Sequence, residues 1–529
     1  MSLVILTIVL LSIVGTQANS PYSNPWFKDN RSVVVHLMEW RYDEIAKECE
    51  IFLGKYGFGA VQVSPVAECA VLPNRPWWER YQPITYQIAG RSGNEQQFAE
   101  MVHRCNKVGV RIYVDIVLNH MSMFNVAGKG TAGSEFNGKD FKYPFFSYND
   151  FHSHDSQPKC NTDSLDISNY DDPDEARNCQ LGGLRDLNQA KPYVQEKQAE
   201  FLNKLIDIGV AGFRSDASKH QWPKDIAAIQ SRLHNLNTSY FAANSKPFFY
   251  HEYIGGDKIK ATEYTPLGRV IEFKNFQNMG EVFRKKNNQK LKYLKNYGPG
   301  TGKDGWGLLP SDDSFIMVDS HDLQRGHTGT LDITITFFES TLLKMATAFM
   351  LAWPYSIPRI MSSYMWPRHI VEDKDHHLVD TNDWYGPPHD DKWDIVPVKR
   401  LDSLACDRQT WICEHRWRQI YNMVNFRNVA GFEPIGNWRD NDNNQIAFSR
   451  GSKAFIAINN DDKPLDWKAV QTGLPAGTYC DIILGNLIDN KCTNRTIVVN
   501  SKGEADIFVN NWPKVDDPII ATHIEAKLK

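Results

Sequence analysis

Eight short runs rich in β-branched residues alternate with amphipathic stretches along most of this chain, and this alternation constrains the fold more than any other feature. The amphipathic stretches, such as residues 42–56 and 95–109, carry apolar residues at helical spacing with a glycine at or just beyond the end. The eight strand-like runs are residues 33–40, 60–65, 111–119, 210–217, 247–252, 269–273, 315–322 and 359–364. Because eight parallel strands with crossover helices close on themselves, the pattern predicts an α/β fold, a (β/α)8 TIM barrel.

Two parts of the chain depart from this alternation. Residues 121–190, after the third strand, are rich in Asp, Asn, Ser and Gly and are long enough to form a small inserted domain. From residue 430 the pattern changes to short alternating runs, which indicates a C-terminal antiparallel β-sandwich domain over residues 430–529. The barrel is therefore expected to comprise residues 19–120 and 191–429.

Charge and the N-terminal segment limit the possible partners and the compartment. With 59 basic and 63 acidic residues the net charge is −4, which excludes a nucleic-acid binder driven by phosphate neutralisation. An apolar run over residues 3–14, closed by small residues up to Ala18, predicts a signal peptide over residues 1–18. That run is too short to span a membrane, so we expect a soluble, secreted protein without a membrane partner.

Nine cysteines fit an oxidising compartment, and none of their spacings has the CxxC form of a zinc site. Cys49 and Cys105 fall in the first two predicted helices, which are neighbours on the outside of a barrel, so a bridge between them is reasonable. The other expected bridges are Cys160–Cys179, Cys406–Cys413 and Cys480–Cys492, which leave Cys69 unpaired. Glycosylation sequons begin at Asn30, Asn237 and Asn494.

Acidic and imidazole groups accumulate where the predicted strands end, at residues 119–120, 214–216, 251–252 and 319–322. Any one of them could be a helix cap or a packed histidine. Together they would bring three carboxylates to one barrel mouth, and a pair of converging carboxylates suits retaining glycoside hydrolysis. Arg214 lies two residues before Asp216 on the same side of a strand, so we expect its guanidinium to keep Asp216 ionised.

Several segments resemble the signature motifs of the α-amylase family. They are DIVLNH at 115–120, GFRSDASKH at 212–220, YHE at 250–252 and VDSHD at 318–322. The segments RPWWERYQP at 75–83 and CEHRWRQI at 413–420 resemble animal α-amylases in particular. Ser215 and Ser320 within these motifs are most similar to mite digestive amylases, a group known as allergens.

The resemblance implies roles for individual residues. Asp216 would be the nucleophile, Glu252 the general acid/base, and Asp322 the third carboxylate that grips sugar hydroxyls. The expected substrate-binding residues are Trp77, Trp78, Tyr81, Gln82, His120, Lys219, His220, His321 and His327. The implied function is secreted, endo-acting hydrolysis of α-1,4-glucosidic bonds in starch, glycogen and malto-oligosaccharides, with retention of configuration, by a digestive monomer.

The same resemblance implies two ions. The calcium pattern falls on Asn119, Asp186 and the carbonyls of Arg177 and His220, so calcium would join the insertion to the barrel. Chloride would lie between Arg214 and Arg359, but Ser320 stands where the family has Asn and supplies one donor fewer.

Two alternatives remain at this point. One is a family relative such as an α-glucosidase, which the aromatic segment at 75–83 disfavours. The other is a catalytically inactive glycan-binding homologue, which the presence of all three carboxylates disfavours.

Overall fold

The computed structural model describes residues 20–256, 258–327, 331–401, 404–511, 514 and 517–529, so the predicted signal peptide lies outside the described residues. Eight parallel strands form a closed barrel in which each strand pairs with the next and the last pairs with the first. They are β1 (Val34–Leu37), β2 (Ala60–Val63), β3 (Arg111–Ile116), β4 (Gly212–Ser215), β5 (Phe248–His251), β6 (Arg269–Ile271), β7 (Ser314–Met317) and β8 (Ile357–Ser362). The predicted TIM barrel is confirmed, and all eight strands lie within the predicted runs or within two residues of them.

Helices cover the outside of the barrel, and one further short helix lies in the insertion after β3. In chain order the helices are α1 (Tyr42–Glu48), α2 (Glu95–Lys107), α3 (Pro173–Asn178, in the insertion), α4 (Pro192–Ile208), α5 (Pro223–Gln230), α6 (Phe273–Phe283), α7 (Ser340–Ala352) and α8 (Arg418–Ala430). Local sequence explains their ends: Asn94 and Gln97 form a capping box at α2, and α4 ends at Gly209, whose φ is +118°. Between β5 and β6 the chain makes the 3₁₀ turns Ala261–Glu263 and Thr265–Leu267.

The long connection after β3 leaves the barrel and returns to it at the same place. Its first strand, His120–Met123, pairs antiparallel with Leu184–Asp186 near its end. Between them lie the hairpin Ala127–Lys129 with Glu135–Asn137 and the short helix α3. Because both ends of the segment are paired to each other, residues at its two ends are brought to the barrel mouth together.

Two smaller excursions also rise from the barrel. After β2 a three-stranded sheet contains Ala67–Cys69, Pro83–Gly90 and Gly93–Asn94. After β8 the strands Ile370–Glu372 and Leu378–Asp380 form a hairpin.

The C-terminal part is antiparallel, as predicted. Its strands are β9 (Ile435–Asp440), β10 (Gln445–Arg450), β11 (Ala454–Asn459), β12 (Leu465–Gln471), β13 (Gly477–Cys480), β14 (Leu487–Ile488), β15 (Lys491–Cys492), β16 (Thr496–Val499), β17 (Glu504–Val509) and β18 (Ile519–His523). Strands β9, β10, β11 and β18 form one sheet, and β12 with β17, β13 with β16 and β14 with β15 form pairs. Arg450 attaches this part to the barrel, since it donates to the carbonyl of Ala352 at the end of α7 (2.7 Å).

All four expected disulfides are present, namely Cys49–Cys105, Cys160–Cys179, Cys406–Cys413 and Cys480–Cys492. Cys69 is free and buried. Among the described residues, no helix combines the length and the apolar character that crossing a membrane requires.

Candidate active site

One guanidinium at the carboxyl ends of β3, β4 and β5 gathers three carboxylates. Arg214 Nη1 donates to Asp115 Oδ1 and to Asp216 Oδ1, both at 2.7 Å, and its Nη2 donates to Glu252. Arg214 lies opposite Asp115 in the pairing of β4 with β3, and opposite Tyr250 in the pairing with β5. The strand register therefore places these side chains in one buried cluster, and the predicted neighbours Arg214 and Asp216 are in direct contact.

The electrostatics of this cluster differ from the expectation that Arg214 keeps Asp216 ionised. Burial, followed by the neighbouring Glu252, raises the pKa of Asp216 well above its usual range in spite of Arg214. Burial and Glu252 also raise the pKa of Asp322, to about 6. The reason is that one cation is shared among several desolvated carboxyl groups. Arg214 therefore offsets only part of the cost of placing these negative charges close together in a buried site.

Glu252 is held by a second contact from the turn after β4. Its Oε2 accepts a hydrogen bond from the backbone N–H of Ala217 at 2.9 Å. Ala217 has a φ of +49°, in the left-handed region that costs a non-glycine residue free energy and that tends to occur at functional sites. This turn aims the N–H that follows Asp216 at the carboxylate of Glu252, and so fixes the two acids relative to each other.

Tyr81 connects this cluster to the end of β7. Its hydroxyl donates to Asp115 Oδ2 and lies 2.9 Å from both that oxygen and His321 Nε2. The two rings are stacked with their centroids 5.4 Å apart, and His321 Nε2 is also 3.1 Å from Asp322 Oδ2. Asp322 is thereby linked to the Arg214 cluster through Tyr81 and His321.

The aromatic segment at 75–83 forms a wall beside these acids. The 3₁₀ helix Trp77–Tyr81 is anchored by Glu79 and Arg80, which form ion pairs with Arg75 (2.8 Å) and Glu39 (2.7 Å).

Trp78 and Tyr81 are half-buried, whereas Trp77 is only 2% exposed and packs against His321 and His327. The ring surface open to a ligand therefore belongs to Trp78 and Tyr81, while Trp77 supports them from behind. His327 is exposed at the rim and lies 3.1 Å from the carboxylate of Asp383.

Gln82 and His120 tie the insertion to the aromatic wall. Gln82 Oε1 accepts from the N–H of Met123 at 3.1 Å, and His120 Nε2 lies 2.9 Å from the carbonyl of Tyr81. Both side chains are buried, so in this arrangement they position loops at the mouth.

Lys219 and His220 also position loops at the barrel mouth. Lys219 Nζ donates to the carbonyl of Gly255 at 2.8 Å, and His220 Nδ1 lies 2.9 Å from the carbonyl of Ala176 in α3. The second contact joins the turn after β4 to the insertion.

The predicted calcium ligands include two buried oxygens without partners. Asn119 Oδ1 and Asp186 Oδ1 have no hydrogen-bond partner, although Asp186 Oδ2 accepts from His152 Nδ1 at 2.6 Å. Asp186 pairs with His120 across the two strands that open and close the insertion. Unpartnered oxygens of a carboxylate and an amide are suitable ligands for a hard cation, so these residues fit calcium. Among the described residues no cluster of three His, Cys, Asp or Glu side chains could hold a metal, and the predicted set, with one carboxylate, is not of that kind.

The predicted chloride residues also fit an anion. Arg214 Nε and Arg359 Nε are buried donors without a partner. The remaining guanidinium nitrogens of Arg359 contact Gln62 Oε1, at 2.7 Å, and the sulfur of Met317. Ser320 Oγ accepts from the N–H of Leu323 at 3.3 Å, so this side chain also caps the turn after β7.

Asp115 is a member of the cluster to which sequence reasoning assigned no role. It is fully buried in β3, and it accepts from Arg214, Tyr81 and Gln62. A signal was available, because a carboxylate inside an otherwise apolar strand needs a buried cation, and the neighbouring strand supplies Arg214.

Comparison with known proteins agrees with this architecture. The family description "Alpha amylase, catalytic domain" matches residues 51–351, and "Alpha amylase, C-terminal all-beta domain" matches residues 436–515. An α-amylase from Acarus siro is 54% identical over 100% of both chains, and one from Dermatophagoides pteronyssinus is 56% identical over 96% of this chain and 99% of the relative. The resemblance to mite amylases is thus confirmed.

A solved structure of a relative shares the fold over nearly its whole length. It is a Glu-to-Gln variant of α-amylase I from Eisenia fetida in complex with maltohexaose, 45% identical, with a TM-score of 0.88 over 95% of this chain and 99% of that chain. With the barrel, the clustered acids and these matches in agreement, the chain belongs to the α-amylase family of glycoside hydrolases and is of the animal type.

Proposed function

We propose that this protein is a retaining, endo-acting α-amylase that hydrolyses internal α-1,4-glucosidic bonds of starch and glycogen. The observation that carries the proposal is the contact of Arg214 with both Asp216 and Glu252 at the carboxyl ends of the barrel strands. Asp216 is the nucleophile, Glu252 the acid and base, and Asp322 the carboxylate that binds sugar hydroxyls in the distorted transition state.

The reaction proceeds in two displacements. Glu252 donates its proton to the glycosidic oxygen while an oxygen of Asp216 attacks the anomeric carbon, so the C–O bond to the leaving sugar breaks as the glycosyl–enzyme bond forms. Glu252, now ionised, takes a proton from a water molecule, whose oxygen attacks the same carbon and releases Asp216. Two inversions at one carbon give net retention.

The rings of Trp78 and Tyr81 support binding of a glucan chain. Their half-buried faces lie beside the acids at the mouth, where the C–H faces of glucose can pack on them. The Eisenia fetida relative was solved with maltohexaose, which is a chain of glucose residues. A wall of this kind favours an endo-acting enzyme over an α-glucosidase, and the intact set of acids favours catalysis over glycan binding alone.

Calcium and chloride complete the proposal. Asn119, Asp186 and the carbonyls of Arg177 and His220 would hold calcium, which would fasten the insertion to the barrel. Arg214, Arg359 and Ser320, which lies two residues before Asp322, would hold chloride. The negative charge of the ion favours the protonated form of a neighbouring carboxyl group.

Secretion and the domain boundaries are part of the same proposal. Four disulfides support an extracellular, digestive enzyme. We assign residues 19–120 and 191–429 to the barrel, 121–190 to the insertion and 430–529 to the C-terminal domain, and we expect a monomer.

The test uses two substitutions and a matched control. Asp216→Asn and Glu252→Gln should each reduce starch hydrolysis by several orders of magnitude. Glu272→Gln is the control, because Glu272 is a buried carboxyl group that follows β6 and contacts Lys274 N and Leu309 N, away from Arg214. Near-normal hydrolysis by either of the first two variants would contradict the roles.

Product analysis tests the remaining parts. Fresh products should be α-anomers by NMR, and β-anomers would rule out double displacement. An oligosaccharide blocked at its non-reducing end should still be cleaved internally, whereas an exo-acting α-glucosidase would leave it intact.

A further inference from the structure

We propose that Arg325 is a positioning residue for His321 and Asp322, which follow β7. The proposal rests on the proposed function, because it concerns how His321 and Asp322 are held for catalysis. Arg325 follows Asp322 by three residues and is 2% exposed, and among the described residues it forms no ion pair with the carboxylates of the Arg214 cluster.

Three aromatic rings enclose the guanidinium of Arg325. Its central carbon lies 4.2 Å from the ring centre of Trp366, 5.1 Å from that of Tyr364 and 5.3 Å from that of Trp77. At these distances each ring attracts the cation, and the attraction is stronger when water is excluded. These three rings, which we call the aromatic box, therefore hold a permanent positive charge at a fixed place behind the aromatic wall.

The box is itself tied to the rest of the molecule. Trp77 Nε1 donates to the carbonyl of Asp383 at 2.8 Å, and Trp366 Nε1 donates to Asp380 Oδ2 at 2.8 Å. The Tyr364 hydroxyl donates to the carbonyl of Tyr385 at 2.7 Å. Each ring is thus fixed by its polar end, so the cation is presented in one position.

From this position Arg325 acts on the catalytic segment through one bond. Its Nη1 donates to the carbonyl of His321 at 2.9 Å, in the residue directly before Asp322. His321 also contacts Tyr81 and the ring of Trp77, whose centre is 5.2 Å away. Arg325 therefore links the aromatic wall to the carboxylate that is to bind the distorted sugar, and loss of this link should displace Asp322 relative to the wall.

The expected effect is on the chemical step more than on binding. A displacement of a catalytic group by about 1 Å can reduce the rate about 100-fold. We expect Arg325→Met, which keeps an unbranched apolar stem but removes the charge and the donors, to lower kcat on maltoheptaose by about 10- to 100-fold. KM should change much less, because Trp78 and Tyr81 remain.

Arg368→Met is the matched control. The guanidinium of Arg368 also lies over an aromatic ring, that of Phe338 at 4.9 Å, on the same side of the barrel, but Arg368 contacts no residue of the catalytic segment among the described residues. This variant should keep its kcat.

Chemical rescue separates positioning from a merely structural role. In Arg325→Ala, added methylguanidinium should enter the space between the three rings and restore part of kcat, whereas Arg325→Met, whose longer side chain obstructs that space, should respond less. A kcat within twofold of the unsubstituted enzyme in Arg325→Met would overturn the proposal. So would a loss of activity that parallels loss of folded protein and is not rescued.

Asp322→Asn is measured alongside. Near-normal activity of Asp322→Asn would refute the proposed role of that acid and with it the basis of this inference. An inactive Asp322→Asn together with a fully active Arg325→Met would refute the positioning role alone.

Discussion

Glu414→Gln should make the folded protein more resistant to alkaline pH. Glu414 precedes α8, is 1% exposed, and contacts both the N–H of Ser363 (2.8 Å) and its hydroxyl. Burial, and then the buried carboxyl group of Asp319, raise the pKa of Glu414 to about 8. Near neutral pH this side chain is therefore mostly protonated, and glutamine has the shape and the donor of that protonated form.

The sign of the effect follows from proton binding. Between about pH 4.5 and pH 8 the folded protein holds a proton that the unfolded chain has released, so the free energy of unfolding falls as the pH rises through this window. The difference between 4.5 and about 8, at roughly 1.4 kcal/mol for each pKa unit, corresponds to ~5 kcal/mol above pH 8. Glutamine does not titrate, so the variant should lose none of this free energy.

The same window contains Asp319, which strengthens the effect. Burial raises the pKa of Asp319 to about 7, against the hydrogen bond that Gln324 donates to it at 2.7 Å. Since the two acids repel each other when both are ionised, removing one charge also eases ionisation of the other.

The assay is urea unfolding of the wild type and Glu414→Gln between about pH 5 and pH 9, at constant calcium and chloride. The two proteins should agree within about 1 kcal/mol at the acidic end and diverge by several kcal/mol at the alkaline end. The control Glu525→Gln, at an exposed position, should follow the wild type. Parallel curves for Glu414→Gln and the wild type would refute the reasoning.

The barrel could be predicted because its strands are local features. Runs of β-branched or aromatic residues mark the strands, and the spacing of Arg214 and Asp216 places both side chains on the same side of the chain as β4 ends. The predicted run at 210–217 is longer than the observed Gly212–Ser215, because Asp216 and Ala217 already belong to the turn that contacts Glu252. The proposed nucleophile Asp216 therefore lies just beyond the strand, in the turn.

The electrostatics and the supporting contacts could not be predicted in the same way. The raised pKa of Asp216 depends on how many carboxyl groups share Arg214 and on how deeply they are buried, and neither follows from spacing along the chain. The box around Arg325 joins Trp77 to Trp366, which only the closed barrel brings together. Motif resemblance likewise identifies Trp77 as a substrate contact, whereas its burial shows that it mainly supports its neighbours.

Three further predictions test the ions and the aromatic wall. Chelation of calcium, or Asp186→Ala, should lower Tm, since a ligand that binds only the folded state stabilises it; an unchanged Tm after verified metal removal would contradict a structural calcium. Chloride should raise activity mainly on the alkaline side of the pH–rate profile, and Ser320→Asn should tighten its binding; superimposable profiles with and without chloride would refute this. Tyr81→Phe keeps the ring stacked on His321 but removes the hydroxyl that donates to Asp115 and contacts His321. Because the hydroxyl joins Asp322 to the Arg214 cluster while the ring is the part proposed to contact sugar, kcat should fall about tenfold, equivalent to ~1.4 kcal/mol, with KM for maltoheptaose nearly unchanged. A variant whose KM rises while kcat is constant would show instead that the hydroxyl contributes only to binding.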